Sequence, residues 1–392
     1  MHGDVCVIVP TVRDWEVVRD YVANARAHDF DVDRLHWVLV TETFCDTDGM
    51  AAMLADLDVS GEVFDGPARD AWLESRGVGD YAHLVPEASH AQTSFGLLYL
   101  WANGFPYGVF LDDDTAPHAD TDFFGRHLAN LRFEGEIETV RSDERWVNVL
   151  YQHADEHGLY PRGYPYGAMG EQVDTDRAHV DDVVASQGLW TNVPDLDAAR
   201  ILAGGDLDGQ GTTRTDRRHF DRDFVAAPGQ YLTVCSMNLA FRREVVPAFY
   251  QLPMDDNPWD VGRFDDIWSG VFLKRASDVL GKAIYTGRPL CEHDKVPRST
   301  FSDLANEAPG LELNEHLWRL IDDAGEDATS YAEAYAAMAE RLQAADVGGL
   351  ENGEFLHYVG DHMADWLDCL DRLDTERATG AAEPAAPPAS DD

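Results

Sequence analysis

The sequence predicts an α/β protein in which a mostly parallel sheet is followed by a helical C-terminal part. Apolar runs at Val5–Val9, Trp37–Val40 and Gly108–Leu111 alternate with segments of helical period, which is the βαβ pattern of a parallel sheet covered on both faces. In the last third of the chain only the helical period remains. Ligands of such sheets bind beyond the carboxyl ends of the strands, so functional residues are expected in the loops that follow these runs.

The elements can be assigned in order along the chain. The first strand is β-branched and ends at Pro10, and the helix Trp15–Ala27 follows it. Between Leu159 and Phe241, Gly and Pro interrupt any regular period, and we expect this stretch to form loops built onto the sheet. The helical period then predicts helices at Asp265–Leu280, Leu313–Asp322, Tyr331–Ala345 and Phe355–Leu373.

These patterns divide the chain into three parts. Residues 1–301 are expected to form one sheet-based domain, and residues 302–376 a helical extension packed on it. The last part, residues 377–392, is rich in Ala, Pro and acidic residues and is expected to be disordered.

Composition limits the partners and the location. Among 392 residues, 73 are acidic and 30 basic, giving a net charge of −43, so no basic excess exists to bind nucleic acid or an anionic membrane. No window approaches the ~18 apolar residues of a membrane span, and the start has no basic leader, so a cytoplasmic protein is expected. Such an acidic surface is typical of a halophilic protein in a salt-rich cytoplasm.

A triplet of aspartates follows the third apolar run directly. Carboxylate oxygens of Asp112, Asp113 and Asp114 are suited to hold Mn²⁺ or Mg²⁺ and to leave positions free for phosphate. In so acidic a chain a solvated run of charge is the competing interpretation, but the position at the sheet edge favours a metal site. His293 is a further candidate ligand, since imidazole binds Mn²⁺, although a lone His is more often structural.

The loop after the first strand could meet a nucleotide. Backbone N–H groups near Pro10 and Thr11, together with Arg13, could contact a diphosphate. An ordinary helix start with Thr11 or Asp14 as N-cap is the alternative, and spacing alone favours it. The chain has no GxGxxG after this strand and no GxxxxGK[ST], so neither a dinucleotide dehydrogenase nor a P-loop NTPase is indicated.

Later segments of the chain contain further candidate site residues. Asp265 and Asp266 begin a predicted helix, where they could act as a general base or clamp a sugar, or merely favour the helix dipole. Lys295 is one of only three lysines. Arg162 lies in a loop between Gly and two aromatic residues, and its chemistry alone does not distinguish it from the other arginines.

Taken together, these pieces resemble the reversibly glycosylated polypeptide family, the UDP-arabinopyranose mutases of plants and their microbial relatives. The matching segments follow the family's order and span about residues 4 to 301. They are IVPTVRD (Ile8–Asp14), DDD (Asp112–Asp114), RGYPYG (Arg162–Gly167), GLWTNVPDLDA (Gly188–Ala198), MNLAF (Met237–Phe241), GRFDDIWSG (Gly262–Gly270), TGRP (Thr286–Pro289) and the pair His293 and Lys295.

The resemblance implies a GT-A-like, Rossmann-related fold with a nucleotide-sugar domain in residues 1–301. It also implies a divalent metal on the aspartate triplet and a cytosolic protein that often oligomerises, so a homo-oligomer is expected. Contacts to the UDP-sugar are expected at Pro10, Thr11, Arg13, Glu42, Asp112, Trp190, Asn238 and Lys295.

The implied activity is interconversion of the pyranose and furanose forms of a UDP-pentose, with self-glycosylation at Arg162. A guanidinium with a pKa above ~12 is almost never neutral, so a nearby carboxylate would have to help. Asp265 and Asp266 could take the proton or steady the guanidinium. Gln187 stands where plant members carry His, so the sugar need not be arabinose. The alternatives are a metal-dependent glycosyltransferase acting on a glycan acceptor, and a non-catalytic subunit that binds nucleotide sugar.

The charge of −43 makes a prediction about stability. Self-repulsion destabilises the compact state and is screened by salt, so the melting temperature should be higher in molar KCl than in dilute buffer. Sucrose at matched osmolality, which does not screen charge, is the control. Equal melting temperatures in dilute buffer and in molar KCl would contradict the prediction.

Overall fold

The computed structural model describes residues 3–13, 15–153, 158–170, 172–254 and 257–380. The strands are β1 (Val5–Pro10), β2 (Leu35–Val40), β3 (Ser60–Phe64), β4 (Tyr107–Leu111), β5 (Thr115–Pro117), β6 (Gly135–Ser142), β7 (Trp146–Val147), β8 (Val173–Val180), β9 (Val183–Asn192), β10 (Phe224–Ala226), β11 (Tyr231–Leu232), β12 (Asn238–Arg242) and β13 (Ala283–His293). The helices are α1 (Val17–Ala27), α2 (Thr47–Asp56), α3 (Gly66–Ser75), α4 (Thr93–Asn103), α5 (Phe123–Asn130), α6 (Ala198–Ala203), α7 (Asp265–Val279), α8 (Thr300–Ile321), α9 (Tyr331–Gln343) and α10 (Glu354–Gly380).

An 11-stranded sheet organises the molecule. Its order is β3-β2-β1-β4-β12-β9-β13-β10-β6-β8, with β5 paired to β13, while β7 and β11 form a separate pair. The strands β3, β2, β1 and β4 are parallel, in the order that begins a Rossmann sheet. Strand β12 is antiparallel to both neighbours, and β9 and β13 again run in the direction of β1. The predicted α/β fold class, with a mostly parallel, mixed sheet and a helical C-terminal part, is therefore confirmed.

The expectation that residues 159–241 form only loops is wrong. Strand β9 lies in the middle of the sheet, between β12 and β13, and its residues from Val183 to Thr191 are buried. A strand buried on both faces is recognised by a continuous apolar run, and in β9 that run is interrupted by Ser186, Gln187 and Gly188. Only glycine fits at position 188, because a Cβ there would lie 2.2 Å from both the Asn238 side chain and the Pro289 carbonyl oxygen.

Strand register brings the predicted functional segments to one edge of the sheet. Pro10 ends β1 opposite Val40, and Leu111 ends β4 opposite Asn238. His293 ends β13, which runs in the same direction as β1 and β4. The residues that follow these strands therefore meet at the carboxyl edge, where α/β proteins bind ligands.

The C-terminal third is helical, as predicted, but two helix boundaries differ from the prediction by more than two residues. Helix α8 begins at Thr300 rather than Leu313 and contains Pro309. Gly310 packs tightly against the Phe264 ring, where a Cβ would lie 2.4 Å from a ring carbon. Helix α10 continues to Gly380, into the predicted tail. The rest of that tail, residues 381–392, and the candidate N-cap Asp14 lie outside the described residues. None of the helices in the described part of the chain is both long and apolar enough to cross a membrane.

Trp366 provides a test of how firmly α10 is attached. Its ring is fully buried and stacks on Tyr250, with centroids 4.7 Å apart. Trp366→Ala should lower the free energy of unfolding by about 3–5 kcal/mol, because it removes a large buried side chain. Leu207→Ala, at a site 54% exposed, is the control and should change it by less than about 0.5 kcal/mol in denaturant titration. Equal effects of the two changes would show that α10 is not part of the core.

Candidate active site

A cavity of about 320 Å³ opens at the carboxyl edge of the sheet. The loops after β1, β4 and β13, the loop before α7 and the loop that carries Arg162 all contribute to its wall. Most of the predicted site residues line it together: Pro10, Thr11, Arg13, Asp112, Asp113, Asp114, Arg162, Asp265, Asp266, His293 and Lys295.

Three predicted contact residues do not line the cavity. Glu42 is buried and accepts a hydrogen bond from the backbone N–H of Ala88 at 2.9 Å. Trp190 lies fully buried within β9. Asn238 donates to the Pro289 carbonyl oxygen at 2.9 Å and contacts His127 through its Oδ1 atom. In this structure these side chains support the walls of the site rather than face it.

The cavity also contains residues that the sequence did not single out. The polar ones are His90, Gln92, Asp195, Arg263 and Arg298. Asp195 and Arg263 lie inside family-like segments, so they could have been found by taking every polar residue of those segments as a candidate. His90 and Arg298 lie outside them, and only the folded chain brings them to the site.

Asp113 fixes the loop after β1. Its carboxylate accepts hydrogen bonds from the Thr11 hydroxyl at 2.9 Å and from the Arg13 guanidinium at 2.7 Å. Thr11 is therefore not a helix cap, and helix α1 begins later, at Val17. The loop thus presents Arg13 to the cavity, while both oxygens of Asp113 are engaged.

Asp112 and Asp114 carry the negative charge at the end of β4. Burial, together with the nearby charge of Asp114, raises the pKa of Asp112 to about 7. Burial would also raise the pKa of Asp114, but His293 lowers it, with His293 Nε2 lying 3.8 Å from Asp114 Oδ1. The other ring nitrogen of His293 is hydrogen-bonded to the Val193 carbonyl oxygen at 2.7 Å, which orients the imidazole towards Asp114.

The donor set fits a divalent cation whose coordination is completed by phosphate. Among the described residues, no group of three or more His, Cys, Asp or Glu side chains could hold a metal ion by itself. Mg²⁺ and similar ions are often bound by one or two carboxylates together with substrate phosphates, and Asp112 and Asp114 offer that arrangement. Burial and the charge of Asp114 raise the pKa of Asp112, and a bound divalent cation would favour its ionised form.

Arg162 is held between two carboxylates. Its Nε lies 3.1 Å from Asp195, and its two terminal nitrogens each lie 3.3 Å from an oxygen of Asp266. Nη1 also donates to the carbonyl oxygen of Arg263, whose backbone is left-handed with φ of +63°. Burial would lower the pKa of Arg162, but the charges of Asp195 and Asp266 raise it well above its usual value.

Asp265 pairs with His90 on another part of the cavity wall. His90 Nδ1 is hydrogen-bonded to a carboxylate oxygen of Asp265. Desolvation would lower the pKa of His90, but the charge of Asp265 and this hydrogen bond raise it to about 10. The neighbouring acids of α7 therefore differ in partner, since Asp266 binds Arg162 and Asp265 binds His90.

Lys295 places a buried ammonium group at the cavity. It is 6% exposed, and its Nζ has no hydrogen-bond partner among the described residues. Burial lowers its pKa, although the charge of Asp195 acts in the opposite direction. Burying an ammonium group unpaired is costly, so an anionic ligand of the cavity would find a cation available to it.

Gln187, which departs from the plant pattern, does not face the cavity. It is fully buried in β9, and its amide nitrogen donates to the Thr233 carbonyl oxygen at 3.0 Å. Any effect of this residue on sugar choice would have to act through the packing of the sheet.

Curated relatives are plant enzymes. The chain is 28% identical over 264 residues to UDP-arabinopyranose mutase 2 of Arabidopsis thaliana, covering 66% of this chain and 64% of that protein. It is 30% identical over 261 residues to a probable UDP-arabinopyranose mutase 2 of Solanum tuberosum, covering 65% and 63%. The match thus spans less than two thirds of the length of these relatives.

Two solved structures illustrate the distant structural similarities of the chain. A mannosyltransferase from Pyrobaculum calidifontis in complex with GDP-Man and Mn²⁺ is 15% identical, with a TM-score of 0.37, and the match covers 98% of this chain and 89% of that one. S. aureus TarS in complex with UDP-GlcNAc is 12% identical, with a TM-score of 0.38 and coverage of 95% and 81%. At TM-scores below 0.5 these likenesses carry no weight for function.

The family model gives the decisive match. The model described as reversibly glycosylated polypeptide matches residues 82–375, three quarters of the chain, and includes every cavity segment except the loop after β1. The chain therefore belongs to the reversibly glycosylated polypeptide family.

Proposed function

We propose that this protein is a UDP-sugar mutase that interconverts the pyranose and furanose forms of a UDP-pentose of the arabinose type, with the sugar carried transiently on Arg162. The observation that carries the proposal is the position of Arg162, a buried guanidinium bound to two carboxylates in the cavity that also contains Lys295 and the aspartates after β4. The names of the curated relatives support the substrate class.

The charges of the cavity suit a nucleotide diphosphate. Five basic residues and six aspartates line it, a mixture that suits a diphosphate bound together with a divalent cation. The basic residues are Arg13, Arg162, Arg263, Lys295 and Arg298. Of these, Lys295 has no protein partner among the described residues, so we assign it to the diphosphate of the UDP-sugar.

Mn²⁺ or Mg²⁺ would be held by Asp112 and Asp114, with His293 beside Asp114. When bound, the metal would neutralise the charge that develops on the diphosphate as the glycosidic bond breaks. Lys295 would stabilise the same charge, and Arg162 would receive the sugar. The sugar then opens and closes in the other ring size before UDP takes it back.

A metal-dependent glycosyltransferase is the second candidate. Val12 and Val296 line the cavity and are 39% and 43% exposed, so the cavity mouth has apolar surface that an acceptor could cover. A mutase needs no acceptor, and this difference separates the two functions experimentally.

Incubation with nucleotide sugars tests the proposal. In high salt with Mn²⁺ and without acceptor, the protein should interconvert UDP-arabinopyranose and UDP-arabinofuranose, and EDTA should abolish the conversion; the galactose pair tests the sugar. Arg162→Ala should lose interconversion, while Arg177→Ala, on the exposed strand β8, is the matched control and should keep it. Chromatography of the products gives the rates. Unchanged nucleotide sugars, or an Arg162→Ala protein with the wild-type rate, would contradict the proposal.

Lys295→Met tests the diphosphate contact separately. Loss of a charged hydrogen bond should weaken UDP binding by about 10- to 100-fold in calorimetry. The melting temperature should not fall, because the change removes an unpaired buried charge. Lys282→Met, which removes a lysine paired with Glu244 and Asp182 outside the cavity, is the control and should leave UDP affinity unchanged. Wild-type affinity in Lys295→Met would exclude this contact.

A further inference from the structure

The hydrogen bonds of Arg162 distinguish its three nitrogens. A guanidinium has five N–H groups, one on Nε and two on each terminal nitrogen. The Nε hydrogen is directed to Asp195, and Nη1 donates both to Asp266 Oδ1 and to the Arg263 carbonyl oxygen. Nη2 donates to Asp266 Oδ2 at 3.3 Å. Within the described residues, the second hydrogen of Nη2 has no partner, so this nitrogen alone combines a contact to a carboxylate with an unengaged N–H.

The two carboxylates differ in what else contacts them. Asp195 is linked to Arg162 twice, since its backbone carbonyl oxygen also accepts the Arg162 backbone N–H at 2.8 Å. Its carboxylate is near the charges of Arg162, Lys295, His293 and Arg263. Asp266 instead has acidic neighbours, namely Asp265, Asp195 and Asp112, besides the cations Arg162 and His90. Its Oδ2 also accepts from the Cys235 thiol at 3.4 Å.

These surroundings give the two acids opposite proton affinities. Burial would raise the pKa of Asp195, but the four cationic groups lower it, so it stays charged. Burial raises the pKa of Asp266, and Asp265 adds to this, although Arg162 acts in the other direction. If one of the pair accepts a proton, Asp266 is the favoured acceptor.

We propose that Asp195 and Asp266 have different roles towards Arg162. Asp195 is a positioning residue that holds Nε. Asp266 is the base that accepts a proton from Nη2, so that the sugar is attached to this nitrogen. This inference rests on the proposed self-glycosylation. As the bond between Nη2 and the anomeric carbon forms, the bond from that carbon to the diphosphate oxygen breaks. The electron pair leaves with UDP, and one Nη2 hydrogen passes to Asp266 Oδ2. The product is a glycosylated guanidinium that keeps its positive charge, beside a neutral Asp266.

Nitrogen-specific detection of the sugar tests the assignment. Protein labelled with ¹⁵N in its arginine guanidinium groups is incubated with UDP-arabinopyranose and Mn²⁺ in molar KCl, and NMR identifies the glycosylated nitrogen. We expect substitution on a terminal nitrogen of Arg162. Substitution on Nε would overturn the inference while leaving self-glycosylation intact. Absence of sugar on Arg162 would overturn both the inference and the proposed carrier role.

Variants separate positioning from proton transfer. Asp266→Asn should slow glycosylation by about 10²- to 10⁴-fold, the range for loss of a general base. Asp195→Ala should slow it by about 10- to 100-fold and allow sugar on Nε, because the guanidinium can turn. Asp195→Asn keeps an oxygen acceptor for Nε and should restore both the rate and the terminal-nitrogen product.

A matched control and a stability measurement distinguish a direct effect on glycosylation from a loss of folding or of nucleotide binding. Asp278→Asn alters a buried acid paired with Lys274 outside the cavity and should leave the glycosylation rate unchanged. Melting temperatures and UDP affinities of all variants show whether each protein folds and binds nucleotide. A folded Asp195→Ala protein with the wild-type rate and only terminal-nitrogen product would overturn the role of Asp195.

Discussion

The site depends on one buried ion pair system, the guanidinium of Arg162 between the carboxylates of Asp195 and Asp266. Removing three charged groups from water carries a large desolvation penalty, which is offset only when the charges pair and their hydrogen bonds are made. The three charged groups come from three separate segments, since Arg162 precedes β8, Asp195 follows β9 and Asp266 lies in the first turn of α7. The same contacts that would prepare Arg162 for the proposed chemistry therefore hold these segments together.

Charge distribution connects this cluster to the rest of the chain. The chain has a net charge of −43, so carboxylates that could pair with a lysine are abundant. Lys295 is nevertheless buried at the cavity with no hydrogen-bond partner for its Nζ among the described residues, where we expect a phosphate to bind. The aspartates after β4 provide the opposite charge in the same cavity. The cavity therefore offers carboxylates to a cation and an ammonium group to an anion. A metal ion bound together with a diphosphate would neutralise both kinds of charge.

Much of the fold, and part of the site, could be predicted from sequence. The parallel strands of the first half and the C-terminal helices have clear periods, and Asp112 and Arg162 lie in recognisable segments. Strand β9 was missed because Ser186, Gln187 and Gly188 interrupt the apolar run by which a fully buried strand is recognised. Asp195 and His90 were missed because their roles arise from contacts over long separations, 33 residues to Arg162 and 175 residues to Asp265. Glu42 and Asn238 lie in candidate segments, but their side chains turn into the supporting structure.

The most direct test of this account is a crystal structure of the protein with UDP and Mn²⁺, in which the anomalous signal locates the metal. We expect Mn²⁺ within bonding distance of Asp112 and Asp114, the diphosphate next to Lys295, and an open space for a sugar between the β-phosphate and Arg162. Nucleotide bound elsewhere, or bound here with Arg162 out of reach of the β-phosphate, would contradict the claim that one cavity holds UDP and passes its sugar to Arg162.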